Sequence, residues 1–275
     1  MSNSTKNASS KQAPSHTHAK SIKKEAPSRP GDRIIEAEFL AGAMNLAQFP
    51  PPAFSEIAFA GRSNVGKSSL MNCLTSRKGL VRTSSTPGCT RQVSWFRSTS
   101  DDKAIVDLVD LPGYGYAKRS KSERKEWAGL IEGYLLERAT LRGVVLLIDV
   151  RRGLEPDDAE LLEMLADQPR VSRKALEITV VATKLDKLPV NKHKPAIAAL
   201  QREIQQKVIG FSAVDAIGRV ELWRRLRRIA AVGEMPKEEL LLKEDTTTEN
   251  VAEGDETQPV AAPEATSDAD GSKTE

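Results

Sequence analysis

Gly61-Arg62-Ser63-Asn64-Val65-Gly66-Lys67-Ser68 constrains this chain more than any other stretch. It follows six residues of strand character (55–60, SEIAFA) and opens onto a run of helical character (67–74, KSSLMNCL). Glycines let the loop curl until successive N–H groups converge on one anion, and the helix behind adds the positive end of its dipole. In that strand–loop–helix setting the pattern G-x-x-x-x-G-K-S is a phosphate-binding P-loop. Lys67 is then placed to reach the β- and γ-phosphates of a nucleotide, and the Ser68 hydroxyl to ligate Mg²⁺.

The rest of the chain supplies a matching frame. Apolar runs at 55–60, 92–97, 103–111, 143–149, 176–182 and 207–211 read as six strands. Helical patterns fall between them, at 67–76, 120–139, 156–166, 194–204 and 217–231. Alternating strands and helices imply an α/β fold, a mostly parallel six-stranded sheet with helices on both faces, in three layers. Ligands on such sheets bind at the carboxyl ends of the strands. Residues 34–54, ending in a triple proline, read as a leading segment that packs ahead of the first strand. Composition divides the 275 residues unevenly. Residues 1–33 carry seven Lys/Arg against two Asp/Glu, and residues 234–275 carry thirteen Asp/Glu against three Lys. With a formal charge of +3 for the whole chain, the middle holds +8. Both ends bury too little apolar matter to offset the entropy of ordering, so both are expected to be disordered. A basic middle suits an anionic partner. Two cysteines, Cys73 and Cys89, suggest neither a disulfide framework nor a metal site, and fit reduced thiols in the cytoplasm. The longest apolar run, 144–148, is too short to cross a bilayer, so no membrane partner is expected.

Three further motifs fall at strand ends and a fourth in a loop. Asp110-Leu111-Pro112-Gly113 puts a carboxylate where it can hold Mg²⁺ through water, with the Gly113 N–H positioned for a γ-phosphate. Thr183-Lys184-Leu185-Asp186 offers a carboxylate to the two ring-edge donors of guanine, which adenine lacks. Asp186 left unpaired would cost on the order of 1–3 kcal/mol, which selects the base. The Lys184 stem can lie along the purine. Ser212-Ala213 follows the last strand, where a backbone N–H can meet the guanine O6. Thr86-Pro87-Gly88-Cys89-Thr90 lies in a loop, and Thr90 is the chosen candidate among Thr83, Thr86 and Thr90 for a switch hydroxyl that joins Mg²⁺.

The ordered set GRSNVGKS, TPGCT, DLPGYGYAK, TKLD and SA resembles the EngB (YihA/YsxC) family, in the TrmE-Era-EngA-EngB-Septin-like branch of P-loop GTPases. The resemblance covers about residues 33–231. It implies a Ras-like G domain at 33–232, between a basic tail at 1–32 and an acidic tail at 233–275. It also implies a cytoplasmic, monomeric, Mg²⁺-dependent GTPase that assists assembly of the large ribosomal subunit and is needed for division and septation. Carried onto this chain, the nucleotide site comprises Gly61 to Ser69 (Gly61, Arg62, Ser63, Asn64, Val65, Gly66, Lys67, Ser68, Ser69), the loop Gly88, Cys89, Thr90, Arg91 and Gln92, then Asp110 to Gly113, Thr183 to Asp186, and Ser212, Ala213 and Val214. Ser68, Thr90 and, through water, Asp110 would hold the metal; Lys67, Asn64 and Thr90 would act in hydrolysis. Arg91 departs from the family, which usually has Gln there.

Two positions bear on rate. Ras-like enzymes place a water-orienting glutamine after the D-x-x-G glycine, and Tyr114 stands there instead, so slow intrinsic hydrolysis is expected. Asn64 offers a route around this by holding K⁺ near the phosphates. Tyr114 and Tyr116 either stack on a partner or pack on the neighbouring helix. The basic residues Lys118, Arg119, Lys121, Arg124 and Lys125, with Arg224, Arg225 and Arg228 beside the apolar stripe Val220, Trp223, Leu226 and Ile229, are candidates for rRNA phosphate contact. Two other functions fit the same residues: a division regulator acting through a protein partner without RNA, and a nucleotide-gated scaffold that barely hydrolyses.

Overall fold

A computed structural model of the chain describes residues 29–81, 92–114, 121–166 and 176–232, the side chains of 121–128 apart. In chain order these form β1 (Ile34–Ala43), β2 (Glu56–Gly61), α1 (Lys67–Leu74), β3 (Val93–Ser100), β4 (Ile105–Asp110), α2 (Lys121–Glu137), β5 (Leu141–Asp149), α3 (Pro156–Ala166), β6 (Glu177–Thr183), α4 (Val190–Ile204), β7 (Val208–Gly210) and α5 (Arg219–Ala230). The sheet order is β1-β3-β4-β2-β5-β6-β7. From β4 to β7 every pairing is parallel, whereas β3 pairs antiparallel with both β4 and β1. The fold is the expected α/β sandwich with a P-loop sheet at its centre.

The unbroken apolar run of β5 has a direct cause. Val144, Leu146 and Ile148 pack under α2, α3 and α4, while Val145 and Leu147 pack under α1 and α5. A strand covered on both faces has no polar side to show. Each such leucine or valine contributes about 1.5–3 kcal/mol by leaving water.

Two differences from the sequence reading matter. Residues 34–43, expected as a leading segment, are a seventh strand along the edge. Most of β1 is exposed, and two register shifts against β3, between Ile34 and Glu36 and between Phe39 and Ala41, break its period of two. Packing also begins earlier than residue 33. The Trp223 indole donates to the Gly31 carbonyl (2.8 Å), the Gly31 N–H donates to Asp101 (2.6 Å), and Arg224 Nε donates to buried Asp32 (2.7 Å). These bonds join residues far apart in sequence, so composition counted locally could not show them. No helix among the described residues is long and apolar enough to cross a membrane.

At the amino end of β2, buried Glu56 accepts from Tyr134 Oη (2.8 Å), Arg138 Nε (2.8 Å) and Thr140 Oγ1 (2.7 Å). This network fixes the carboxyl end of α2 and the entry to β5 against β2, and so helps aim the far end of β2, where the P-loop starts.

Candidate functional site

β2 delivers the chain to Gly61, where an added Cβ would lie 2.9 Å from Val65 Cγ1 and 3.1 Å from the Leu147 carbonyl oxygen. The loop then curls through positive φ at Asn64 (64°) and Gly66 (108°), with a bond from Val65 N–H to the Arg62 carbonyl (3.1 Å). Gly66 caps α1 without a side-chain bond, and no acidic residue stands in the first helical turn. The leading N–H groups of α1 are therefore left for an external anion.

The segment after β4 runs against this loop. Leu111 N–H bonds the Phe59 carbonyl (3.1 Å), and Ser63 N–H bonds the Tyr114 carbonyl (3.0 Å). A Cβ at Gly113 would come within 3.1–3.2 Å of Ser63, which is the close approach that glycine permits there. Buried Lys67 and Asp110 meet in an ion pair. Ser68, half buried, follows on the first turn of α1.

The β6 end completes the frame. Thr183 Oγ1 donates to the Val65 carbonyl (2.7 Å), and Lys184, at φ 61°, donates to the Asn64 carbonyl (2.5 Å) and to Asp149 Oδ2 (3.0 Å). The Lys184 stem lies over the loop: a Cβ at Gly66 would be 3.7 Å from its Cε. At the end of β7, Ser212 Oγ donates to Asp186 Oδ1 (3.2 Å) and accepts from Asp215 N–H (3.1 Å). Leu185 N–H bonds the Phe211 carbonyl (3.2 Å). The TKLD and SA segments, 26 residues apart between Asp186 and Ser212, thus form one corner. Ala213 is half buried and Val214 exposed beside them.

The P-loop, the D-L-P-G turn, TKLD and SA are one continuous edge. An apolar-strand pattern had placed each at a strand end, and the hydrogen bonds join them. The chain matches a probable GTP-binding protein EngB of Desulforapulum autotrophicum at 43% identity over 196 residues, which is 70% of this chain and 96% of that protein. Its match to the EngB of Geobacter metallireducens is 42% over 210 residues, 75% of this chain and 98% of that one. The chain belongs to the EngB family of GTP-binding proteins. Residues 56–184 also match the family model described as 50S ribosome-binding GTPase, and the chain is a GTPase. A crystal structure of a probable engB protein shares the fold at TM-score 0.50 and 24% identity, covering 64% of this chain and 99% of that one. An Era structure solved with MgGDPNP and nucleotides 1506–1542 of 16S ribosomal RNA shares it at TM-score 0.54 and 23% identity, over 67% and 60%.

Some of the expected residues turn their side chains to other partners in this EngB-family chain. The Arg62 side chain turns to α3, paired with Glu155 (2.9 Å) and Asp157 (2.6 Å). Gln92 donates to Ser94 Oγ (3.3 Å) at the start of β3. Tyr114 is buried, and its hydroxyl donates to Asp158 of α3 (2.7 Å). Its side chain packs in the core beside α3. Burial, then the adjacent carboxylate, pushes the Tyr114 phenol far above its usual range, and burial raises Asp158. Arg224 and Arg225, candidates for RNA, pair with Asp32 and with Glu177 (2.8 Å). Gly88, Cys89, Thr90 and Arg91 lie outside the described residues, as do Tyr116, Lys118 and Arg119 and the side chains of Lys121, Arg124 and Lys125. Two residues went unseen in the sequence: Asp149, which holds Lys184 in place, and Asp158, which holds Tyr114. Asp149 does end an apolar strand as Asp110 does, and that signal was available. Burial would raise Asp149, but Arg151 and Lys184 outweigh it and hold the carboxyl below its usual range.

Proposed function

We propose that this chain is a guanine-nucleotide switch, slow in hydrolysis, that acts in assembly of the large ribosomal subunit in the cytoplasm. Normal division and septation would then depend on it through translation. The observation that carries the switch is the buried Lys67–Asp110 pair. Each partner has a second engagement that a bound nucleotide would offer, Lys67 with the β- and γ-phosphates and Asp110 with a metal-bound water. Filling the P-loop separates them, and Asp110, Gly113 and Tyr114 move together because they share one turn. The description of the matching family as 50S ribosome-binding supports the choice of partner, and the Era neighbour's ribosomal RNA is compatible with it.

The donors fit Mg²⁺. One hydroxyl, Ser68, and one carboxylate, Asp110, leave positions for phosphate oxygens and water, the arrangement this small, reluctantly dehydrated ion takes. Thr90 would add a second hydroxyl. When bound, Mg²⁺ neutralises charge across the β- and γ-phosphates. Lys67 and the α1 N–H groups orient the phosphates, and Asp186 with Ser212 selects guanine. Asn64, exposed at the loop crest, would hold K⁺ near the phosphates. Equal turnover in KCl and NaCl, with Asn64→Ala unchanged, removes the K⁺ role.

Sedimentation through sucrose gradients tests the partner. The chain is expected to travel with large-subunit particles in a non-hydrolysable GTP analogue and to leave them in GDP; no association in either state refutes the ribosomal reading. The Tyr114–Asp158 bond favours one second reading, a nucleotide-gated scaffold with negligible hydrolysis. Single-turnover hydrolysis on purified particles separates the two: no stimulation over the free chain favours the scaffold.

A further inference from the structure

The two faces of the sheet are covered unequally. Among the described residues, α2, α3 and α4 pack on one face, and α1 and α5 on the other. On that second face a cavity of about 830 Å³ lies beside α5. Thr179 of β6 and Ile209 of β7 line it from the sheet, and Val220, Arg224, Arg225 and Arg228 line it from α5. Six cationic side chains and two acidic ones, Asp32 and Glu221, border it, and none of the nucleotide motifs does.

The cations are held to different degrees. Arg224 is committed to buried Asp32. Arg225 and Lys207 pair with Glu177 and Glu221 (2.8 Å each), whose side chains are about half exposed. Pairs of that kind contribute little, about 0–1 kcal/mol, and exchange readily for a stronger anion. Arg228 has no ion pair to any described residue.

We infer that this cavity receives the phosphodiester backbone of RNA, with Arg225 and Arg228 as phosphate forks. Arg219 to Arg228 spans about 14 Å of helix axis, more than one phosphate fills. An acidic peptide would need carboxylates at particular positions to meet that file of cations, whereas RNA offers a charge at every residue. Guanidinium forks match phosphate in two parallel bonds. The inference rests on the ribosomal reading for its polyanion, and gives that reading a surface remote from the GTP site.

The test uses the full chain, naked large-subunit rRNA and intact large-subunit particles. Arg225→Ala with Arg228→Ala should weaken binding to naked rRNA about tenfold at low salt, and lower the salt slope by roughly 1.4, for two phosphates released. GTP affinity within twofold of the parent certifies folding, and Lys207→Glu, outside the core, repeats the test should the arginine pair fail to fold. Unchanged RNA affinity in these variants overturns the inference and leaves the ribosomal reading standing. Variant-sensitive rRNA binding without particle association upholds the cavity and sinks the ribosomal reading. Particle association that the variants abolish while the parent ignores naked rRNA assigns the cavity to a protein face and overturns the inference. No binding to either target overturns both.

Discussion

At the scale of single residues, the site combines groups whose roles are readable from chemistry with groups whose roles depend on what folds beside them. Asp186 belongs to the first kind. In the proposed reading its carboxylate, bonded by Ser212 at the end of β6, would accept two donors from guanine. Asp186→Asn replaces one acceptor with a donor, so GTP affinity should fall at least tenfold and the preference should shift toward a purine carrying a carbonyl at the amino position, as in XTP. Competition titrations with GTP and XTP would show it, and unchanged GTP affinity would refute the guanine assignment. Tyr114 belongs to the second kind. Its place after Gly113 was legible, but not its bond to Asp158, because nothing in the sequence says that α3 passes there. Tyr114→Phe removes a donor from a buried carboxylate and should cost about 1–3 kcal/mol. That is a fall in Tm of about 2–4 °C per kcal/mol for a domain of this size. Turnover should stay within threefold of the parent, since the hydroxyl is engaged with Asp158 on α3. A hundredfold loss would assign it a catalytic part.

At the scale of elements, the legible ones are those buried on both faces or amphipathic over several turns. β5 announces itself by apolar residues at every position from Val144 to Ile148. β1 does not, because Ile35, Phe39 and Leu40 stay exposed and its bulges shift the alternation. α4 starts at Val190, ahead of the expected 194, and Pro195 sits inside it. The stop that proline usually signals is overridden by packing of Leu200 on the sheet. The Glu56 network is the element-scale feature that no pattern shows. Its members come from β2, α2 and the turn before β5, and the carboxylate is wholly buried. Arg138→Met leaves that charge without its cation and should cost about 3–5 kcal/mol. Glu56→Gln with Arg138→Met should recover part of that loss, because the unpaired charge is gone. Urea unfolding of the two variants and the parent checks the order; a single variant as stable as the parent would show that the pair is not what fixes α2 to β2.

For the molecule as a whole, stability against pH is set by carboxylates of opposite tendency. The Arg224 fork holds Asp32 below its usual range and the Arg227 fork does the same for Asp102, in both cases against burial. A carboxyl with a lowered folded pKa binds its proton more weakly than in the unfolded chain. Its contribution is therefore present above about pH 4 and is lost as pH falls through the folded value. Asp158 runs the other way. Burial raises it, so its contribution is fully present below the unfolded pKa and is lost as pH rises through the folded one. The two kinds act in adjoining windows. Asp102→Asn should flatten the fall in stability below about pH 4, whereas Asp158→Asn should flatten a decline that begins above it. Unfolding by urea at a series of pH values reads both slopes, and equal slopes in parent and Asp102→Asn would show that the Arg227 pair is not felt by the folded state. The Arg224 and Arg227 pairs also tie α5 to residues 29–33 and to the turn between β3 and β4. Acid should therefore loosen the hold on α5 as these two carboxylates take up protons. Amide exchange at pH 3 tests that loosening: less protection in α5 than at neutral pH is expected, and unchanged protection would mean that the acid-sensitive pairs do not hold α5.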